Sequence, residues 1–107
     1  MKLHGNKNES DLPQHLYAID DLQEKEVFKF GISDDPIESD NLSKRARDQR
    51  DYLNLVVGIL RFAARILMVN IPTRRAAKDI EDAHIEQFKQ ANGRMPSGNK
   101  RKNRPLR

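Results

Sequence analysis

One hundred and seven residues allow one domain with a single modest core and leave no room for two. Hydrophobic residues make up 36% of the chain and charged residues 34%, with no Trp, so the core has to come from Leu, Ile, Val and Phe. The absence of cysteine excludes disulfides and thiolate metal sites, and leaves carboxylate, His, carbonyl and water as the donors open to a metal.

The net charge of +4 hides an asymmetry. Residues 1–41 hold four Lys/Arg against ten Asp/Glu, and residues 42–107 hold sixteen against six. A basic half of this kind suits a polyanion, because phosphates reward clustered cations through counterion release. The apolar region from Tyr52 to Pro72 is interrupted by Arg61 and Arg65, and its pieces fall short of the ~20 residues a spanning helix needs. The first residues lack the apolar run of a signal peptide, so a soluble domain is expected.

Residues 1–14, "MKLHGNKNESDLPQ", are polar and aperiodic and read as a flexible leader or junction. Leu16 to Asp20 and Glu26 to Ile32 are short β-prone runs joined by Asp21 to Lys25, which fits an antiparallel hairpin. In the second run Phe28, Phe30 and Ile32 alternate against Val27, Lys29 and Gly31. An acidic loop, "SDDPIESDN", carries no regular signal.

From Leu42 the period becomes helical, with Leu42, Ala46, Gln49, Leu53, Val56 and Val57 on one side, Asp40 or Asn41 as N-cap and Gly58 as the stop. The run "ILRFAARILMVNI" reads as a strand, because Gly58 and Pro72 bracket it and Leu60, Phe62, Ala64, Ile66 and Met68 alternate. A second helix follows, capped by Thr73, directing Ala76, Ala77, Ile80, Ala83, His84 and Phe88 inward and ending at Gly93. Residues 94–107 form a basic tail with six cations and no acid. The order β-β-α-β-α predicts an α+β domain, residues 15–93, with a small three-stranded antiparallel sheet flanked by helices.

Tyr17 in the first strand, Lys29-Phe30-Gly31 in the second, Arg45 in the following helix, Glu81 in the second helix and a late Asn99 together resemble the GIY-YIG nuclease family. The resemblance runs from about Leu16 to Asn99. "LYA" stands where that family has Gly-Ile-Tyr, and "KFG" stands for Tyr-Ile-Gly, so Lys29 replaces the second tyrosine. The resemblance implies a phosphodiesterase site on the sheet. Glu81 would hold Mg²⁺ or another divalent cation, either Arg45 or Arg47 would clamp the phosphate, and Tyr17 would orient water. Tyr17, Lys29 and His15 all remain open as the general base.

His15 is expected on the side of its strand opposite Tyr17, and is included because histidine titrates near neutrality. Gln49 shares a polar helix face with Arg45. With Arg47, Asn99, Lys100 and Arg101 it completes the expected nucleic-acid-binding set, in which cations grip phosphates without reading bases. His84 lies one turn from Glu81, either as a second metal ligand or as a partly buried helix residue.

"KLHGN" at the N-terminus, followed by "PQH", is similar to the start of C-terminal toxin domains of Rhs-type polymorphic bacterial toxins. That likeness implies a secreted effector acting in the target-cell cytoplasm and neutralised by a cognate immunity protein, with an acidic surface expected on the inhibitor. DNA is favoured over RNA as substrate. Two other readings stand beside this one: a non-catalytic basic nucleic-acid-binding module, and a domestic repair or mobile-element nuclease.

Overall fold

The computed structural model describes residues 12–99. Three strands, β1 (Gln14–Asp21), β2 (Glu26–Ser33) and β3 (Phe62–Ile71), form one antiparallel sheet in the order β2-β1-β3. Helix α1 (Lys44–Val57) connects β2 to β3, α2 (Arg74–Asn92) follows β3, and a short 3₁₀ turn spans Ser97–Asn99. The β-β-α-β-α order and the α+β class are those expected from the periodicity.

The central strand is buried on both faces, so its side chains sort the molecule into two layers. Leu16 and Ala18 face a core completed by Phe30, Ile71 and Ala77, with Ile80, Ile85 and Phe88 of α2 packed against it. Tyr17 and Ile19 face a second cluster with Ala46 of α1 and Phe62 of β3, joined by Phe28, Leu53, Ala64 and Ile66. Each helix therefore covers one face of the same strand.

Several local expectations are corrected. Phe28 and Phe30 do not share a face, because the β1–β2 register slips where Ile19 pairs with Lys29 but Asp20 pairs with Val27. The resulting bulge leaves Phe28 opposite no residue and turns it toward α1, onto the side that Lys29 already faces. Helix α1 starts at Lys44 with Ser43 as its N-cap, whose side chain accepts the Ala46 N–H. Asp40 instead accepts the Leu42 N–H inside the preceding turn, and Asn41 holds a positive φ there.

Val56 and Val57 are exposed rather than inward, together with Tyr52, Leu55, Ile59 and Leu60. The end of α1 thus leaves the sheet, and β3 begins at Phe62, two residues later than the alternation suggested. Arg61 lies ahead of the strand and forks onto Asp21, while Arg65 within it forks onto Asp20, so the two arginines serve neighbouring positions of β1. Ala83 is exposed, and Ile85 takes the inward place, because the buried stripe of α2 runs through Ala77, Glu81 and His84 toward Phe88. Thr73, Gly58 and Gly93 cap their helices as expected, both glycines in the left-handed region that favours them.

Beyond Gly93 the chain returns to the free edge of β2. Arg94 forks onto Glu26, and the Asn99 side-chain amide bonds both backbone groups of Phe30, accepting its N–H at 2.7 Å and donating to its carbonyl at 2.9 Å. Gly98 lies so close that a Cβ would press on the Phe28 ring and the Lys29 stem. A sheet edge that would otherwise offer unpaired groups is closed by this strap.

Candidate active site

Tyr17 stands in mid-strand on the α1 face and is 1% exposed. Its partner across the ladder is Gly31, and a Cβ at that position would overlap the ring carbon Cζ and the hydroxyl of Tyr17. The glycine is therefore what allows the ring to lie flat across β2, carrying the hydroxyl out over the edge strand. There the Arg45 side chain donates a hydrogen bond to it, and the carboxylates of Glu81 and Asp35 act on it electrostatically. Burial raises the Tyr17 pKa above its ordinary value, with Arg45 pulling down and Glu81 and Asp35 adding to the rise. The group is a neutral phenol at physiological pH.

Lys29 comes to the same face by regular alternation, two residues before Gly31 and opposite Ile19, and its Nζ donates to Oε1 of Gln49 at 2.9 Å. Gln49 thus holds a cation in place from α1. Arg45, one turn before it, has its backbone N–H accepted by Asp35 Oδ2 at 3.0 Å, which fixes the first turn of α1 against the acidic loop.

His15 occupies the same face as Tyr17, not the opposite one, since residues two apart on a strand share a side. Its ring centroid lies 6.1 Å from that of Tyr17. His15 Nε2 sits 2.9 Å from Ser43 Oγ, the hydroxyl that also accepts the Ala46 N–H, so the histidine ties β1 to the N-cap of α1. Burial pushes its pKa below the ordinary histidine value against the opposing pull of Asp35 and Asp34.

The two arginines that the sequence leaves as alternatives are separated by geometry. Arg45 reaches Tyr17, whereas the Arg47 guanidinium is held by Glu38 at 2.6 Å and by both oxygens of Asp40 at 3.0 and 3.1 Å. Arg47 closes the acidic loop onto α1. Glu81 is buried on α2, one turn after Ala77, and its charge acts on Tyr17. His84 places Nδ1 3.0 Å from the Ile80 carbonyl and its ring against Phe30, a packing position. Asn99 is 3% exposed with its amide taken up by Phe30. Lys100 and Arg101 lie outside the described residues.

Tyr17, Lys29, Arg45, Gln49 and His15 are thus gathered on the α1 face, with Glu81 acting on the same hydroxyl from α2. Ser43 and Asp35, which build the first turn of α1, were not anticipated. Ser43 carried a readable signal, a serine three residues ahead of the small apolar Ala46 and hence a possible N-cap. Asp35 carried none, because its role depends on a loop fold.

A family model described as URI fold toxin 2 matches residues 6–93, from within the polar leader to the cap of α2. The chain belongs to that family. No curated protein and no solved structure matches it. The URI fold toxin 2 assignment makes the chain a polymorphic bacterial toxin domain and implies an immunity protein as partner. No helix among the described residues of this toxin domain is long and apolar enough to cross a membrane.

Proposed function

We propose that this toxin domain hydrolyses phosphodiester bonds in nucleic acid, DNA ahead of RNA, with a GIY-YIG-like site on the α1 face of its sheet. The observation that carries the reading is the Tyr17 hydroxyl laid across Gly31, bonded by Arg45 and flanked by the Glu81 charge. A buried phenol bonded by a guanidinium, within the field of a buried carboxylate, is more than a strand aromatic needs. Each of the three groups matches a need of phosphoryl transfer.

Arg45 is the cation that would meet charge accumulating on the phosphoryl oxygens, and a guanidinium binds them through paired N–H groups. Tyr17 keeps its proton and orients the attacking water by hydrogen bonding, and neutral His15 on the same face is the base that would take the water's proton. Lys29, held by Gln49, adds a second positive charge beside the scissile group. Among the described residues no cluster of three or more His, Asp or Glu is placed to cage a metal. A divalent ion at Glu81 would then take that carboxylate, phosphate oxygens and water, a donor set that suits Mg²⁺. Bound there, the ion would stabilise the departing oxygen.

The toxin would act as a secreted effector in the cytoplasm of a target cell, restrained in the producer by its immunity protein. Arg94 and Asn99 anchor the chain to β2, and the cations of the basic tail that follows would extend the nucleic-acid surface.

The test is cleavage of plasmid DNA and total tRNA by the purified domain, with Mg²⁺ or EDTA, beside Glu81→Ala. The proposal expects metal-dependent cutting that Glu81→Ala abolishes, and growth arrest of a bacterial host that co-expressed immunity protein relieves. Intact nucleic acid in every lane, with salt-sensitive retardation that persists in Glu81→Ala, would instead establish a binding module.

A further inference from the structure

A cavity of about 340 Å³ opens beside the site, between the start of β1, the acidic loop after β2 and the end of β3. Its size sits near the lower bound of small-ligand pockets, roughly 300 Å³. Pro36, Ile37 and Val69 give it apolar walls, and Gln14, His15 and Asp34 contribute polar groups.

Gln14 is the unusual member. It is 1% exposed, its Nε2 donates to the Leu12 carbonyl at 3.0 Å, and its Oε1 has no hydrogen-bond partner. A buried acceptor left unmatched costs stability, on the order of 1–3 kcal/mol, which a ligand donor would recover where the side chain turns toward the cavity it lines.

Two residues of the cavity wall also touch the proposed active site. His15 in its wall shares a strand face with Tyr17, and Asp35 in its wall accepts the Arg45 backbone N–H. Its carboxylates repel a phosphate, so a nucleotide whose phosphate meets Arg45 would turn its uncharged base this way. Prolyl and aliphatic walls suit a flat ring, while Gln14 Oε1 and the Asp34 carboxylate can only accept.

We infer that this cavity is a base-specificity pocket of the proposed nuclease, selecting guanine in the nucleotide beside the scissile phosphate. Among the bases guanine presents the most donors on one edge, N1–H and the N2 amino group side by side, which a carboxylate takes in two parallel bonds. Adenine and cytosine offer an amino group next to an acceptor. Thymine and uracil offer a single N–H. The inference rests on the nuclease reading for the phosphate position, but the pocket's preference can be tested without it.

Two measurements on the full chain separate these. In the first, cleavage ends from random-sequence oligonucleotides are sequenced for the wild type and for Asp34→Asn, which keeps the side chain's shape while placing a donor against guanine. Guanine should be enriched about tenfold at one fixed position next to the cut, and Asp34→Asn should bring it to within about twofold of the other bases. A flat base distribution in the wild type, or an enrichment that Asp34→Asn leaves intact, would overturn the inference. So would a base distribution unchanged by Asp34→Asn while inhibition by the immunity protein weakens, which would make the pocket a seat for a cationic side chain of that partner.

The second measurement is an NMR titration of the ¹⁵N-labelled domain with guanosine and with uridine, neither carrying phosphate. Guanosine should shift the Gln14 side-chain amide and the Val69 backbone signal at concentrations where uridine does not. Equal response, or none, would overturn the pocket. If no substrate is cut but guanosine alone shifts these signals, the nuclease reading fails and the base pocket stands.

Discussion

The two faces of β1 are made from alternate residues of one strand and are equally buried, yet they differ in chemistry. Toward α2 the strand presents Leu16 and Ala18, both fully buried in an apolar cluster. Toward α1 it presents Ile19 in the second cluster together with His15, Tyr17 and Asp21, these three polar and each under 5% exposed. Burying such groups is costly unless they are bonded, and each has its partner: Ser43 for His15, Arg45 for Tyr17, and Arg61 with the turn amides of Gln23 and Glu24 for Asp21. A sheet that needed only stability could have used aliphatic residues on both sides. The polar face is where the fold spends stability on arrangement, and the apolar face supplies it.

Substitutions that break this contrast should affect activity on one face and stability on the other. The largest effect belongs to Arg45→Ala, which should lower the cleavage rate on the order of 10²–10³-fold while the domain stays folded, its stability reduced by no more than the roughly 1–3 kcal/mol of an unpaired Tyr17 hydroxyl. Stopped or quenched-flow cleavage beside circular dichroism reads both.

On the opposite face Leu16→Ala should cost about 2–5 kcal/mol of stability while the folded fraction cuts at the wild-type rate, measured by denaturant titration and by assays well below the transition. Gly31→Ala joins the two effects, because the added methyl meets the Tyr17 ring. It should cost roughly 1–3 kcal/mol and most of the activity. In the double variant with Tyr17→Ala the stability penalty should largely vanish, so a double-mutant cycle exposes the coupling.

Asn99→Ala should destabilise by about 1–3 kcal/mol through the two unmatched Phe30 groups, with nucleic-acid affinity little changed. A loss of affinity without a loss of stability would return Asn99 to the binding set.

The smallest effect is in the pH dependence of stability. His15 is held below its ordinary pKa by burial, so the unfolded chain binds the proton more readily than the folded one. Its contribution is complete above about pH 6.5, the ordinary histidine value, and is lost as pH falls from there toward the folded value. His15→Gln should flatten that part of a urea-midpoint series against pH, and an unchanged slope would show that other groups set it.

Much of the architecture was legible in the sequence because its punctuation is local. Thr73, Gly58 and Gly93 mark helix ends within a few residues of the helices they cap, and the strand periods of β1 and β3 survive in the residues themselves. The departures came where a long-range pairing decided the outcome. The bulge at Phe28 follows from the register against β1, and nothing in "EVFKFGIS" distinguishes it from plain alternation. The expectation that His15 lies opposite Tyr17 runs against the strand period itself, which places the two on one face.

Within the candidate site, Tyr17, Arg45 and Glu81 are suggested by their order along the chain, and what the fold adds is that Arg45 and Glu81 act on the Tyr17 hydroxyl. The choice of Arg45 over Arg47 is not suggested by that order, since it depends on Glu38 and Asp40 folding back onto α1. Likewise the reason for Gly31 appears only once Tyr17 lies across it. Gln14 and Asp35 owe their positions to contacts that no spacing announces.

The most direct test of the claim that the α1 face is the working face is a comparison of wild type, Arg45→Ala and Leu16→Ala in one plasmid-cleavage time course with Mg²⁺, all three folded by circular dichroism at the assay temperature. The account predicts that Leu16→Ala cuts like the wild type while Arg45→Ala is reduced at least about a hundredfold. Equal cutting by Arg45→Ala, or loss of cutting in Leu16→Ala alone, would contradict it.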